Sequence, residues 1–289
     1  MKPIRFYLPN QLGASFMRGK QISFAMDKKG YDSKCITKVD DQKDAIIVFV
    51  KGFNPQDLIK AKEQGNICVL DVVDKFASLK SRHDEIPYFP IFDHAIFCNE
   101  FTRDYFQNIF QSTSVILHHW DPRLQKECGY YAAYPYQLRI GYIGYDFNHS
   151  FAEQLADVVP IYNPNQWVDW APFFTAHYNV KDNTELETLF KPTTKISTAA
   201  AVNANILVMK DPNTVELIGD DYPYYVKEYK PEVVFESIKL MQDTFEDELW
   251  YDALKTMKGV RDRTSLDTVS DEYINLFKHL TGENADEAA

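Results

Sequence analysis

Ala45-Ile-Ile-Val-Phe-Val50 runs without a polar break, and Ile4 to Leu8 and Ile67 to Val72 are nearly as apolar. A strand that is apolar on both faces has to be covered on both, which is the condition of a parallel strand between two layers of helices. Segments of about ten residues with helical spacing and clear stop signals lie between these runs: Lys20 to Lys29 before Gly30, and Pro55 to Gln64 before Gly65. Further strands are predicted over Lys34 to Val39, His94 to Cys98 and Ser114 to Leu117, with a helix over Thr102 to Phe110. Parallel strands joined by helices wind in one hand, so the first part of the chain predicts a doubly wound sheet with its ligand crevice at the carboxyl ends of the strands.

The same alternation starts again after the Tyr- and Pro-containing connector Gly129 to Pro135. Leu138 to Gly144 reads as a strand entering a glycine turn, Ser150 to Val159 as a helix, and Phe173 to Tyr178 as a strand. A helix over Thr194 to Asn203, a strand over Ile206 to Met209 and a helix over Asn213 to Ile218 complete the series. After Pro231 the pattern is helical, over Glu232 to Met257 and Ser270 to Leu280. The fold class expected is therefore α/β, with two Rossmann-like domains facing a central cleft and C-terminal helices. The expected division is 1–122, 123–231, and 232–289 for the helices and an acidic, frayed tail from Gly282.

Composition narrows the partners. The 289 residues are 45% hydrophobic, enough for packed cores. A formal net charge of −11 argues against general nucleic-acid binding, which draws most of its energy from basic surface. No apolar run approaches the roughly 20 residues of a membrane span, and the first nine residues do not read as a signal peptide, so a cytoplasmic location is expected. Cys35, Cys68, Cys98 and Cys128 have no metal-like or redox-like spacing and are read as reduced core residues. No metal site is expected, since His and Cys partners at ligand spacing are missing.

The densest chemical signal is Lys191-Pro-Thr-Thr-Lys-Ile-Ser-Thr-Ala-Ala-Ala201. Thr193, Thr194 and Lys195 stand where a helix begins, so unpaired amide groups and the positive dipole end meet a full positive charge, a setting for a diphosphate. An ordinary N-cap with a solvated lysine is the alternative. The three alanines allow close approach of a neighbouring backbone or ligand. Gly144 ends the strand that opens the second series and permits a similar approach. His177 lies in the following strand, either near the nucleotide or as a satisfied core histidine. Asp211, before Pro212, fits a helix start.

In the first series, Ser15, Arg18 and Lys20 follow the first strand, placed to meet phosphates at the crevice or to form a solvated basic loop. His118-His-Trp-Asp-Pro-Arg123 follows the last strand. Adjacent strand residues point opposite ways, and His119 is the candidate base, with Trp120 available to stack on a sugar or base. An Asp121–Arg123 pair in a hinge is the alternative for this cluster. Asp71 and Asp74 end another apolar run, and Asp71 is the candidate to deprotonate an acceptor hydroxyl.

Two Rossmann-like halves, the strand-to-glycine turn at Leu138 to Gly144, and the lysine loop, alanine helix, strand and Glu216-bearing helix together resemble a GT-B glycosyltransferase of the family-1-like, nucleotide-diphosphate-sugar-dependent kind. The resemblance implies that the second domain holds the donor, with Glu216 on the ribose, and that the first presents a hydroxyl acceptor: a glycan, a small molecule or a modified DNA base. It implies a hexosyl- or pentosyltransferase with no cofactor other than the donor. An earlier glutamate common in such enzymes is replaced by Thr198, and the basic residue that often follows the first glycine turn is replaced by Tyr145 to Asn148. A nucleotide-sugar epimerase of the same build, or a sugar- or nucleotide-binding protein without turnover, are the alternatives.

Overall fold

The computed structural model describes residues 1–8, 13–74, 76, 83–126, 137–144, 151, 158–161, 167–182 and 186–283. Cys128, the connector Gly129 to Pro135, the turn Tyr145 to Asn148, most of the helix expected over Ser150 to Val159, and the tail from Asn284 lie outside these residues.

The chain forms two compact units. The first comprises Met1–His119, Phe190–Pro192 and the segment from Leu266 onward; the second comprises Trp120–Leu189 and Thr193–Ser265. The helices after Pro231 are thus shared: Pro231–Asp243 and Glu248–Arg263 fall in the second unit, and Leu266–Thr281 in the first.

The first unit holds a six-stranded parallel sheet of β1 (Ile4–Tyr7), β2 (Ser33–Ile36), β3 (Ile46–Val50), β4 (Ile67–Asp71), β5 (His94–Phe97) and β6 (Thr113–Val115), in the order β2-β1-β3-β4-β5-β6. The apolar runs read from the sequence are its central strands. Side chains alternate along them between two cores: Ile47 and Phe49 enter one, while Ile46, Val48 and Val50 enter the other. The first core is rich in phenylalanine, with Phe76, Phe89, Phe92, Phe97, Phe106 and Phe110 in edge, tilted or stacked contact. Phe190 inserts there against Phe106, with ring centroids 4.8 Å apart. The second core is closed by Val269, Tyr273, Ile274 and Phe277, one stripe of the Leu266–Thr281 helix, against Ile22 and Met26. Cys68 and Cys98 are buried, whereas Cys35 is exposed because β2 is an edge strand.

The segment expected as a loop before Lys20 is helical. Ser15–Gln21 forms π-type turns that run directly into the α-helix Ile22–Lys28. Wide turns of this kind are rare and disturb the regular side-chain spacing, and here they carry Arg18 into the core.

The second unit holds a five-stranded parallel sheet of β7 (Ile140–Ile143), β8 (Val158–Ile161), β9 (Ala176–Asn179), β10 (Asn205–Met209) and β11 (Tyr225–Val226), in the order β11-β10-β9-β7-β8. Val158 and Val159, expected at the end of a helix, lie in β8, and Tyr225–Val226, expected in a loop, adds an edge strand. Numbered within its own unit, this sheet runs 2-1-3-4-5, the same winding that opens the first sheet. The reversal of strand order falls between β7 and β9, where doubly wound sheets leave a crevice at the carboxyl ends. Gly141 lies inside β7, and a Cβ on it would stand 2.3 Å from the Phe174 ring, so glycine is required for that ring to pack there.

The helix expected over Glu232 to Met257 is two helices, broken between Asp243 and Glu248. Glu246 has φ of +65°, and the Asp247 carboxylate accepts a hydrogen bond of 3.2 Å from the Trp250 amide to start the second. The Glu248–Arg263 helix packs along Thr194–Ala201, whose Ala199, Ala200 and Ala201 are buried. Small side chains there let two helices approach closely.

Candidate functional site

At the reversal point of the second sheet, β7 ends at Gly144, β9 continues into Val180 and Lys181, and the Thr194–Ala201 helix begins. Lys195 extends from the first turn of that helix, with its Nζ 4.2 Å from the centroid of the Tyr142 ring. An added Cβ at Gly144 would lie 3.0 Å from Lys195 Nζ and 2.5 Å from the Tyr142 hydroxyl, so glycine lets both side chains pack against the end of β7. Burial, with a smaller contribution from the positive charge of Lys181, pushes the Lys195 amine down to about 8. Among the described residues no carboxylate pairs with Lys195.

Thr193 precedes the helix, but its side chain makes no capping bond, so the first-turn amides receive no side-chain acceptor from it. Thr194 contributes its carbonyl to the Thr198 hydroxyl at 2.8 Å. His177, from β9, donates through Nε2 to the Ala171 carbonyl at 3.2 Å. Burial holds its ring down at about 4, that hydrogen bond opposes the shift, and Lys195 adds to it. His177 is therefore a neutral wall of the site at neutral pH.

Asp211 starts the Pro212–Ile218 helix. Its carboxylate accepts from the Thr214 amide at 2.9 Å, while its own amide donates to the Thr214 hydroxyl at 2.9 Å, a reciprocal cap as its position before proline implies. Burial raises its carboxyl above the ordinary range, opposed by these bonds and by Lys181. Glu216 is half-buried in the same helix. Lys181 and Tyr142 belong to this site although sequence reasoning passed over both. Lys181 was legible as a lysine just past an apolar strand; Tyr142 reads locally as any core aromatic.

The first unit uses its charges differently. Arg18 and Asp71 are both fully buried, with Nε to Oδ2 at 2.9 Å and Nη2 to Oδ1 at 3.1 Å. The guanidinium also donates to the Leu117 carbonyl at 2.7 Å, lies 5.1 Å from the Tyr273 ring centroid, and the Tyr273 hydroxyl donates to Asp71. Burial alone would lower the Arg18 pKa, but the charge of Asp71 leads the effects that raise it. Asp71, expected as a base, and Arg18, expected as a phosphate ligand, are instead fully buried and paired with each other. Ser15, expected at the crevice edge, is likewise buried in the π-type turns.

His119 is fully buried, and its Nε2 lies 2.8 Å from Gln21 Oε1. Among the described residues its Nδ1 has no hydrogen-bond partner, and burial, reinforced by His118 and Arg18, holds the ring well below the ordinary histidine range. His118 stacks on it at 5.5 Å. Trp120 is not presented for stacking: its indole donates to the Arg261 carbonyl at 2.9 Å. Asp121 and Arg123 pair at 2.7 Å.

No protein-family model and no curated protein sequence matches this chain. Solved structures do. Sucrose-phosphate synthase from Thermosynechococcus elongatus superposes with a TM-score of 0.66 at 11% identity, over 98% of this chain and 100% of that one. HepE of Anabaena, in complex with UDP-glucose, gives 0.62 at 9% identity over 96% and 100%. The UDP-forming α,α-trehalose-phosphate synthase of Burkholderia vietnamiensis gives 0.57 at 9% identity over 94% and 78%. No helix among the described residues is long and apolar enough to cross a membrane. Two doubly wound parallel sheets in succession, followed by helices that divide between them, give this chain the GT-B glycosyltransferase fold.

Proposed function

We propose that the chain is a glycosyltransferase that takes a sugar from a nucleotide diphosphate sugar and transfers it to a hydroxyl acceptor. The observation that carries this reading is Lys195: a partly desolvated ammonium with no carboxylate partner among the described residues, at the start of a helix and packed beside Gly144, at the reversal point of a parallel sheet. A diphosphate supplies the missing counter-charge. The Thr193 and Thr194 end of the helix contributes amide donors and the positive dipole end, and Lys181 a second positive charge.

In this reading Gly144 lets the donor lie against the end of β7, His177 forms a neutral wall, and Glu216 accepts from the ribose diol. As the sugar leaves, negative charge grows on the departing diphosphate, and fixed positive groups already in place stabilise it more than they do the bound donor.

The test is release of UDP from UDP-glucose, and of the corresponding diphosphates from other nucleotide sugars, in the presence of pooled hydroxyl acceptors. Acceptor-dependent release that is lost in Lys195→Ala supports the reading. Release that survives the substitution removes Lys195 from the mechanism, and tight binding without turnover favours a binding protein.

A further inference from the structure

We infer that Tyr142 is a positioning residue for Lys195: its ring is the seat that holds the ammonium in place to receive a diphosphate, and Gly144 leaves room for the ring and the amine to meet. The inference rests on the donor-site reading of Lys195. Tyr142 is 1% exposed on β7, and the Lys195 Nζ stands 4.2 Å from its ring centroid. A half-buried ammonium with no carboxylate partner among the described residues needs some other stabilisation, and the negative face of an aromatic ring supplies it without neutralising the charge. A carboxylate there would compete with the ligand, whereas a ring holds the lysine and leaves its N–H donors available.

The ring therefore has two effects. It holds the amine at the end of β7, and it favours the protonated form against the desolvation that disfavours it. The other groups acting on Lys195 are Lys181, which extends from the end of β9, and His177 on β9, which is neutral at ordinary pH. Asp211 lies near enough to Lys181 to feel its charge.

The test uses the intact chain without nucleotide first. Trace acetylation with acetic anhydride, read lysine by lysine by mass spectrometry across pH, gives the midpoint at which the Lys195 amine becomes nucleophilic, expected near pH 8. Tyr142→Leu is expected to lower that midpoint, leaving roughly threefold to thirtyfold more neutral amine at a fixed pH well below it. Tyr142→Phe, which keeps the ring face, restores the midpoint. UDP binds Tyr142→Leu several-fold more weakly at pH 8, and the gap narrows by pH 6, where both amines are protonated.

A midpoint unchanged in Tyr142→Leu overturns the inference. If that variant does not fold, the unaltered chain with labelled lysine decides: the ring current of Tyr142 places the Lys195 Hε protons upfield of the other lysines, and an ordinary position overturns the seat. Both readouts are made without nucleotide, so a shifted midpoint with no affinity for UDP would uphold the role of Tyr142 and sink the donor-site reading instead.

Discussion

The carboxyl ends of the two sheets share a winding order and treat buried charge in opposite ways. In the first unit, Arg18 is matched to Asp71 in a fork-to-fork pair and roofed by Tyr273. In the second, Lys195 is half-buried and faces an aromatic ring, the backbone of Gly144 and another lysine. A buried cation with its counter-ion supplied by the fold is structural; one without a carboxylate partner among the described residues is where the proposed donor would supply the charge. Burial and charge alone do not distinguish the two, and the partner does.

The largest predicted effect breaks the first of these arrangements. Asp71→Ala leaves a guanidinium unpaired in the core and should cost about 3–5 kcal/mol in urea unfolding. The double variant Arg18→Met, Asp71→Leu, which replaces the pair by apolar groups of similar volume, should recover most of that loss. If Asp71→Ala cost less than 1 kcal/mol, the pair would not be the structural element described here.

The counterpart in the second unit has the opposite sign. Lys195→Met removes a desolvated charge, so the urea midpoint should hold or rise. UDP affinity should meanwhile fall by about 1.5–3 kcal/mol, roughly tenfold to 150-fold. The lysine binds the diphosphate only when protonated, so wild-type affinity is maintained below about pH 8 and declines as pH rises through that value. Calorimetric titration from pH 6 to pH 9.5 checks this, and a flat profile would sever Lys195 from the ligand.

These two outcomes mark what was legible in the sequence and what was not. The strand and helix alternation of both sheets was readable because continuous apolar runs carry their own burial signal, and the start of the Lys195 helix because helix ends are locally encoded. Arg18 looked like a solvated loop residue: its partner is 53 positions away, and the π-type turns that carry it inward have no local signature. Asp71 was placed correctly at a strand end, but only tertiary pairing decides whether such a carboxylate faces a crevice or a core. The single helix expected over Glu232 to Met257 failed at one residue, Glu246, where a positive φ interrupts an otherwise continuous apolar period.

Acid should expose the histidine beside the lysine. His177 is held at about 4 in the fold against an ordinary 6.5, so the unfolded chain binds the extra proton first as pH falls. Stability associated with the neutral ring is fully present above about pH 6.5 and is lost as pH drops toward 4, amounting to about 2 kcal/mol at pH 5. Replacing it, as His177→Gln, should flatten that part of the stability profile, with urea midpoints between pH 7 and pH 5 as the measurement. An unchanged slope would mean that His177 is not buried neutral beside Lys195.

The smallest predicted effect concerns the far side of the proposed donor site. A carboxylate at Glu216 accepts from both hydroxyls of a ribose diol, whereas glutamine offers one acceptor oxygen and turns a donor amide toward the second. Glu216→Gln should therefore cost about 1 kcal/mol in UDP binding, roughly fivefold. The loss should vanish with a 2′,3′-dideoxy analogue, which presents no hydroxyl to accept from. Because the Lys195 contribution acts on the diphosphate, it should be the same for both ligands, and the pair of substitutions then divides the ligand between its two ends. Equal losses for UDP and the dideoxy compound would place the ribose elsewhere, while leaving intact the contrast between Arg18, paired with Asp71, and Lys195, set against an aromatic ring.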